Sequence, residues 1–221
     1  MSVARPTILL TGFGAFPGVA TNATAALVPQ LAERARARLE ARVVAEILPT
    51  EWRRAPSRLA LLVAEHAPTL ALHFGVSHRA RGIVIETLAR NACAMEPDAA
   101  GELPLSPTLI GDGPRTLAAS LPVTRILDRL GALGLPASLS QDAGDYLCNA
   151  LLYRSLSCRT VAQGRRMAGF IHLPASLAGE DGAPGPSTAD HALDWDGAIR
   201  GGLAIIAVAM EHWDSSADVS G

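Results

Sequence analysis

Three residues of unlike type hold the chemistry open to this chain: Cys148, His172 and Glu86. Cys148 lies in SQDAGDYLCNALLY (140–153). That stretch reads as the end of a short strand (137–140), a tight turn through Asp142, Ala143 and Gly144, and an amphipathic helix. The thiol falls in the first turn of the helix. Unpaired N–H groups and the positive end of the helix dipole gather there. Both favour the thiolate, the form that attacks carbonyls. A cysteine on a half-buried helix also serves as a small hydrophobe, so its position alone leaves both readings open. His172 sits in AGFIHLP (168–174), an apolar strand stopped by proline, where a hydrogen-bonded core histidine is equally at home. Glu86 interrupts the apolar run IVIETLA (83–89). A carboxylate is costly to bury there unless something pairs with it, and an imidazolium is an apt partner. Thiol, imidazole and carboxylate supply nucleophile, base and orienter, the triad logic in a Cys–His–acid version.

Other chemistries fit less well. TGFGAFPG (11–18) has two glycines of a dinucleotide-binding turn, but Pro17 stands where the third belongs. The turn still brings backbone close to something. Phe13 and Phe16 on it are either plain core residues or the walls of an apolar slot for a small ring. GVSHR (75–79) lacks the second glycine of a serine nucleophile elbow. The histidines include no H-x-x-x-H pair and the three cysteines no C-x-x-C, so no metal site is expected.

The elements that must position these residues follow from the rest of the chain. Its 221 residues are 49% hydrophobic, enough for a substantial core in one domain spanning 1–221. Net charge is −2, and the densest basic run, RARARLEAR (34–42), reads as a solvated helix face, so no nucleic-acid partner is expected. The apolar tracts at 8–10 and 201–210 are too short to span a membrane. Unpaired cysteines suit a reducing cytoplasm.

Strands are predicted at 7–12, 42–48, 70–74, 82–89, 137–140 and 168–173. Helices are predicted after Thr21 or Asn22, at 57–66, 122–131, after the 142–144 turn, and at 189–213. Pro29 should delay or bend the first helix, and Gly201 and Gly202 should weaken the last. Residues 95–116, rich in proline and glycine, form an irregular excursion, and 176–189 a loop. Strand and helix alternate almost throughout, which predicts an α/β domain with a mixed, largely parallel sheet and helices on both faces. Ligands gather at the carboxyl ends of such strands, where the 12–18 turn, His172 and the turn before Cys148 fall.

In order along the chain, TGFGAFPGVATN (11–22), ILPTEW (47–52), GVSHRARGIVIETLARN (75–91), SQDAGDYLCNALLY (140–153) and AGFIHLP (168–174) resemble the sequence blocks of the pyroglutamyl peptidase I family. The resemblance implies a three-layer α/β/α sandwich and a cytosolic homo-oligomer, dimer or tetramer, without cofactor. It implies a cysteine peptidase acting on peptides with an N-terminal pyroglutamate. By motif position Cys148 is the nucleophile, His172 the general base and Glu86 the acid that orients it. Phe13 and Phe16 match the aromatics that flank the lactam ring. Asn22, Gly144 and Tyr146 fall in the same blocks and are expected at the substrate site. One block departs. NACAMEPDAAG (91–101) is a residue shorter than the family pattern, and Met95 stands where the family carries arginine. Arg79, Arg81 and Arg90 are candidates to replace that cation. The departure keeps open a related amidase for another small cyclic or acylated amine, and a non-catalytic binder of capped termini.

Overall fold

The structure is a computed structural model that describes residues 5–16, 18–158, 166–179 and 192–217. Strand β1 (Thr7–Phe13) is buried from Ile8 onward. It feeds helix α1 (Ala23–Arg36), capped by Asn22, whose side chain accepts the Thr24 N–H at 3.1 Å. The helix starts ahead of Pro29 rather than after it. The ring sits on the exposed face and removes one hydrogen bond there without displacing the start. The chain continues through β2 (Arg42–Leu48), α2 (Arg54–His66), β3 (Leu70–Ser77), β4 (Ile83–Glu86), β5 (Leu88–Arg90), β6 (Thr116–Ala118), α3 (Val123–Ala132), β7 (Ala137–Ser140), α4 (Leu147–Ser157), β8 (Met167–Pro174) and α5 (Trp195–Ala217).

Six strands form the central sheet in the order β2-β1-β3-β8-β4-β7. Neighbours are parallel except β4, which runs antiparallel to β8. One face packs on α1, α3 and α5 through Leu27, Leu31, Ile126, Leu130, Ile199 and Ile206. The other packs on α2 and α4 through Leu59, Leu62, Leu147 and Leu151, with Trp52 and Phe170. Each such side chain contributes about 1.5–3 kcal/mol when fully buried. The result is the three-layer α/β/α sandwich with a mixed, largely parallel sheet.

Other elements also differ from the sequence reading. The predicted strand 82–89 is two strands in two sheets. After Glu86 the chain leaves the central sheet, and β5 pairs with β6, which the sequence did not announce. Thr87 marks the break, with its N–H and hydroxyl both on the Ser140 carbonyl. Strand β3 runs past Gly75 to Ser77 because β8 pairs with it along its whole length. Helix α5 is continuous through its glycines. A Cβ on Gly201 would lie 2.2 Å from Ile83 Cδ1, so the glycine permits a close approach to β4. The predicted start of that helix at 189, and most of the 176–189 loop, lie outside the described residues.

Candidate active site

Register brings the three chemical residues together. Strand β8 places Phe170 and His172 on one sheet face, and antiparallel β4 sets Glu86 opposite Phe170 and Val84 opposite His172. Glu86 therefore meets His172 on the diagonal, with Oε1 2.8 Å from Nδ1. A carboxylate only accepts, so Nδ1 carries the proton. Glu86 is 1% exposed and His172 7%. The second carboxylate oxygen, Oε2, is buried and finds no hydrogen-bond partner among the described residues. The imidazole is thus the principal partner of a buried charge.

Cys148 shares the cavity wall with the imidazole and acts on it electrostatically. Burial pulls the His172 pKa down, but Cys148 and then Glu86 outweigh it and lift it to about 9. Cys148 is the second residue of α4. Tyr146, extended at the N-cap, makes no side-chain cap, so the first N–H groups of α4 keep no partner from that side chain. Those donors and the helix dipole suit a developing negative charge. The thiol rests above Gly75, which pairs with His172 in the sheet register. A Cβ on Gly75 would lie 2.8 Å from Phe170 Cζ and 3.2 Å from Cys148 Sγ.

A cavity of about 740 Å³ opens on this group. Phe16, Glu86, Gly144, Tyr146, Cys148 and His172 all line it. The Tyr146 ring lies 6.2 Å from Phe16 and meets Trp52 edge-on at 4.9 Å. Its hydroxyl donates to the Pro97 carbonyl, and burial first, with nearby carboxylates and Cys148, raises its pKa to about 12. Gly144 turns the chain at φ 76° in front of α4. Two expected site residues stand behind the wall. Phe13 is 2% exposed and packs on Phe170, 6.3 Å away. Asn22 is 4% exposed and donates to the Gly14 carbonyl while capping α1. An adjoining cavity of about 660 Å³ shares His78 and Ala80 with the first but reaches none of the thiol, imidazole or carboxylate.

The altered segment 91–101 forms one wall through Glu96 and Pro97. Trp52 straps it down: its N–H donates to Asp98 Oδ2 at 2.7 Å and its Nε1 to the Glu96 carbonyl at 2.8 Å. Asp98 also accepts from the N–H groups of Ala100 and Glu102. These bonds outweigh its burial and hold its pKa down. Met95 is half exposed and not part of the cavity wall. Of the three candidate arginines, Arg79 lines the cavity, Arg81 lines the adjoining one, and Arg90 is clamped to Asp142 at 2.7 Å and to the Gln141 carbonyl.

Sequence reasoning assigned no role to Gly75, Trp52, Asp98 or Asn149. Asn149 follows Cys148 directly, and Trp52 ends the ILPTEW block. Their positions were signals, but their partners lie 44 to 59 residues away in the chain. Among the described residues no group of three His, Cys, Asp or Glu is placed to hold a metal ion, and no helix is long and apolar enough to cross a membrane.

A thiol at a helix start, an imidazole and a buried carboxylate, gathered where antiparallel β4 pairs with β8, are the groups a cysteine hydrolase uses. A family model described as "Pyroglutamyl peptidase" matches residues 6–202. The chain belongs to the pyroglutamyl peptidase family. It is similar to a pyrrolidone-carboxylate peptidase of Chromobacterium violaceum, 36% identical over 169 residues, covering 76% of this chain and 77% of that protein. The corresponding protein of Yersinia pestis is 31% identical over 209 residues, covering 93% and 94%. Among solved structures, a mutant pyrrolidone carboxyl peptidase from Pyrococcus furiosus superposes with a TM-score of 0.81 at 27% identity, covering 94% of this chain and 99% of that one. Pyroglutamyl peptidase I of Bacillus amyloliquefaciens gives 0.78 at 27% identity, covering 93% and 98%.

Proposed function

We propose that this chain, acting as one catalytic domain, hydrolyses the amide bond after an N-terminal pyroglutamyl residue. The observation that carries the reading is the convergence of Cys148, His172 and Glu86 on one cavity, with Glu86 bonded to His172 at 2.8 Å. The Cys148 thiolate attacks the acyl carbon of pyroglutamate. The α4 N–H groups, that of Cys148 included, stabilise the oxyanion. As the C–N bond breaks, His172 passes its proton to the leaving amine and a pyroglutamyl thioester remains. Water then gives a proton to His172 and attacks the thioester, which releases pyroglutamate and restores the thiolate–imidazolium pair. Glu86 holds the ring in the tautomer that both steps need.

Pyroglutamate has no charged α-amine, so a slot walled by Phe16 and Tyr146, with Phe13 behind, accepts its ring. Asn22 supports the 12–18 turn, and Gly144 brings backbone to the opposite side. Hydrogen bonds to the lactam reject proline, whose missing ring carbonyl leaves site groups unpaired. Exposed Leu61, Leu103, Leu105 and Leu139 leave apolar surface for contact between copies, and the three cysteines are free. We place the enzyme as a homo-oligomer in a reducing cytoplasm.

Release of a chromogenic amine from a pyroglutamyl amide tests this, against the prolyl analogue and Cys148→Ala. Turnover of the pyroglutamyl compound alone, lost in Cys148→Ala, is expected. No turnover by folded protein overturns it. A second reading, an amidase for another small cyclic or acylated amine, is favoured by the place of Met95 outside the cavity wall. It predicts a faster substrate within a panel of N-acyl amides.

A further inference from the structure

The cavity wall holds a cation that the three-residue chemistry does not use. Arg79 follows the end of β3, four residues past Gly75, and its side chain lines the same cavity as Cys148 and His172. It is 89% exposed, with Asp142 the carboxylate nearby, at 3.6 Å. That carboxylate is already engaged. Arg90 holds its other oxygen at 2.7 Å and ties the same turn through the Gln141 carbonyl at 3.1 Å. Arg90, then, neutralises Asp142 and fixes the turn, and the long Arg79 contact consumes little of the second guanidinium. Arg79 carries its charge on the wall of the cavity that holds Cys148 and His172.

Resting on the peptidase reading, we infer that Arg79 binds an anionic group on the leaving side of the scissile bond, above all the free carboxylate of a pyroglutamyl dipeptide. In such a dipeptide the carboxylate carbon lies about 2.5 Å from the leaving nitrogen, two covalent bonds away. It therefore stays beside the catalytic group while the ring occupies the slot. A planar guanidinium matches a carboxylate with two parallel N–H donors. Glu96, an exposed carboxylate on the same wall, opposes the effect and keeps it modest. The selected substrates are short pyroglutamyl peptides with a carboxylate next to the cut, either terminal or on an acidic side chain.

The test compares kcat/KM for pyroglutamyl-alanine and for pyroglutamyl-alanine amide, in the native chain, Arg79→Gln and Arg79→Lys. The ratio within each protein is its own control for folding and active fraction. The native chain should favour the acid by about three- to fivefold at low salt, mostly in KM, and less as salt is added. The ratio should fall to about one in Arg79→Gln and be partly kept in Arg79→Lys, which retains charge without the fork. A native chain that prefers the amide, or an Arg79→Gln variant that keeps the native ratio, overturns the assignment while leaving the peptidase reading intact. Failure to cleave either dipeptide and the chromogenic pyroglutamyl amide overturns both.

Discussion

Asn149 grips the backbone of Arg90 from both sides: Oδ1 accepts the Arg90 N–H at 2.8 Å, and Nδ2 donates to the Arg90 carbonyl at 2.9 Å. The same amide nitrogen reaches the Ala92 carbonyl at 2.8 Å. Asn149 is 1% exposed and stands beside Cys148 in the chain. One buried amide thus ties the start of α4 to the strand that leaves the central sheet after Glu86.

Asn149→Ala removes all three bonds and strands backbone groups in the interior. Stability should fall by about 2–4 kcal/mol, read from urea unfolding. kcat should fall with it even where the protein stays folded, since α4 aims the thiol. A variant with native stability would show that the clamp is redundant.

Gly75→Ala puts a methyl against Phe170 and the Cys148 sulfur. The core resists, at a cost of about 1–3 kcal/mol. The thiol is the softer neighbour and should move. We expect kcat to drop on the order of 10²-fold with little change in KM, and iodoacetamide labelling of Cys148 to slow. Cys93 is no rival for the reagent: burial raises its pKa, and its sulfur donates to the Ser106 carbonyl.

His172 sets the alkaline limit. Its folded pKa stands at about 9, above the ordinary 6.5, so the imidazolium is the favoured form at neutral pH. The stability it lends is full below about 6.5 and is lost as pH rises through 9. kcat/KM should decline over the same upper range, because the leaving amine loses its proton donor. NMR titration of the ring checks the cause. In Cys148→Ala the His172 pKa should fall, Cys148 being the largest influence that raises it.

Much of this was legible in the sequence, and the reason is local. Cys148, His172 and Glu86 each sit in a short segment whose pattern declares a helix start or a strand, so their surroundings could be read before their contacts. Pairing between distant segments could not. IVIETLA looks like one continuous strand, and nothing in it marks Thr87 as the residue where the chain changes sheets. Phe13 and Phe16 are alike in composition and three residues apart. Only the strand ending at Phe13 turns one ring into the core and leaves the other on the cavity wall.

His73 gives the acid limit. It is wholly buried between the Thr11 and Ser155 hydroxyls, each 2.7 Å from a ring nitrogen. Burial lowers its pKa to about 4. A neutral ring is therefore required, and the stability it lends is present above about 6.5 and lost as pH falls toward 4. The loss should reach about 3 kcal/mol across that window. Unfolding measured from pH 7 to 4.5 should show it, and His73→Gln should flatten the slope over the same range.

The Trp52 strap separates two jobs. Backbone and indole N–H groups of one tryptophan fasten the segment that walls the cavity, while Glu86 and His172 are fastened by the sheet. A residue dropped from that segment, or Met95 in place of an arginine, leaves the pairing of β4 with β8 that joins Glu86 to His172 untouched. Selectivity and reactivity can drift apart in evolution here: the wall is an editable part bolted to a fixed engine.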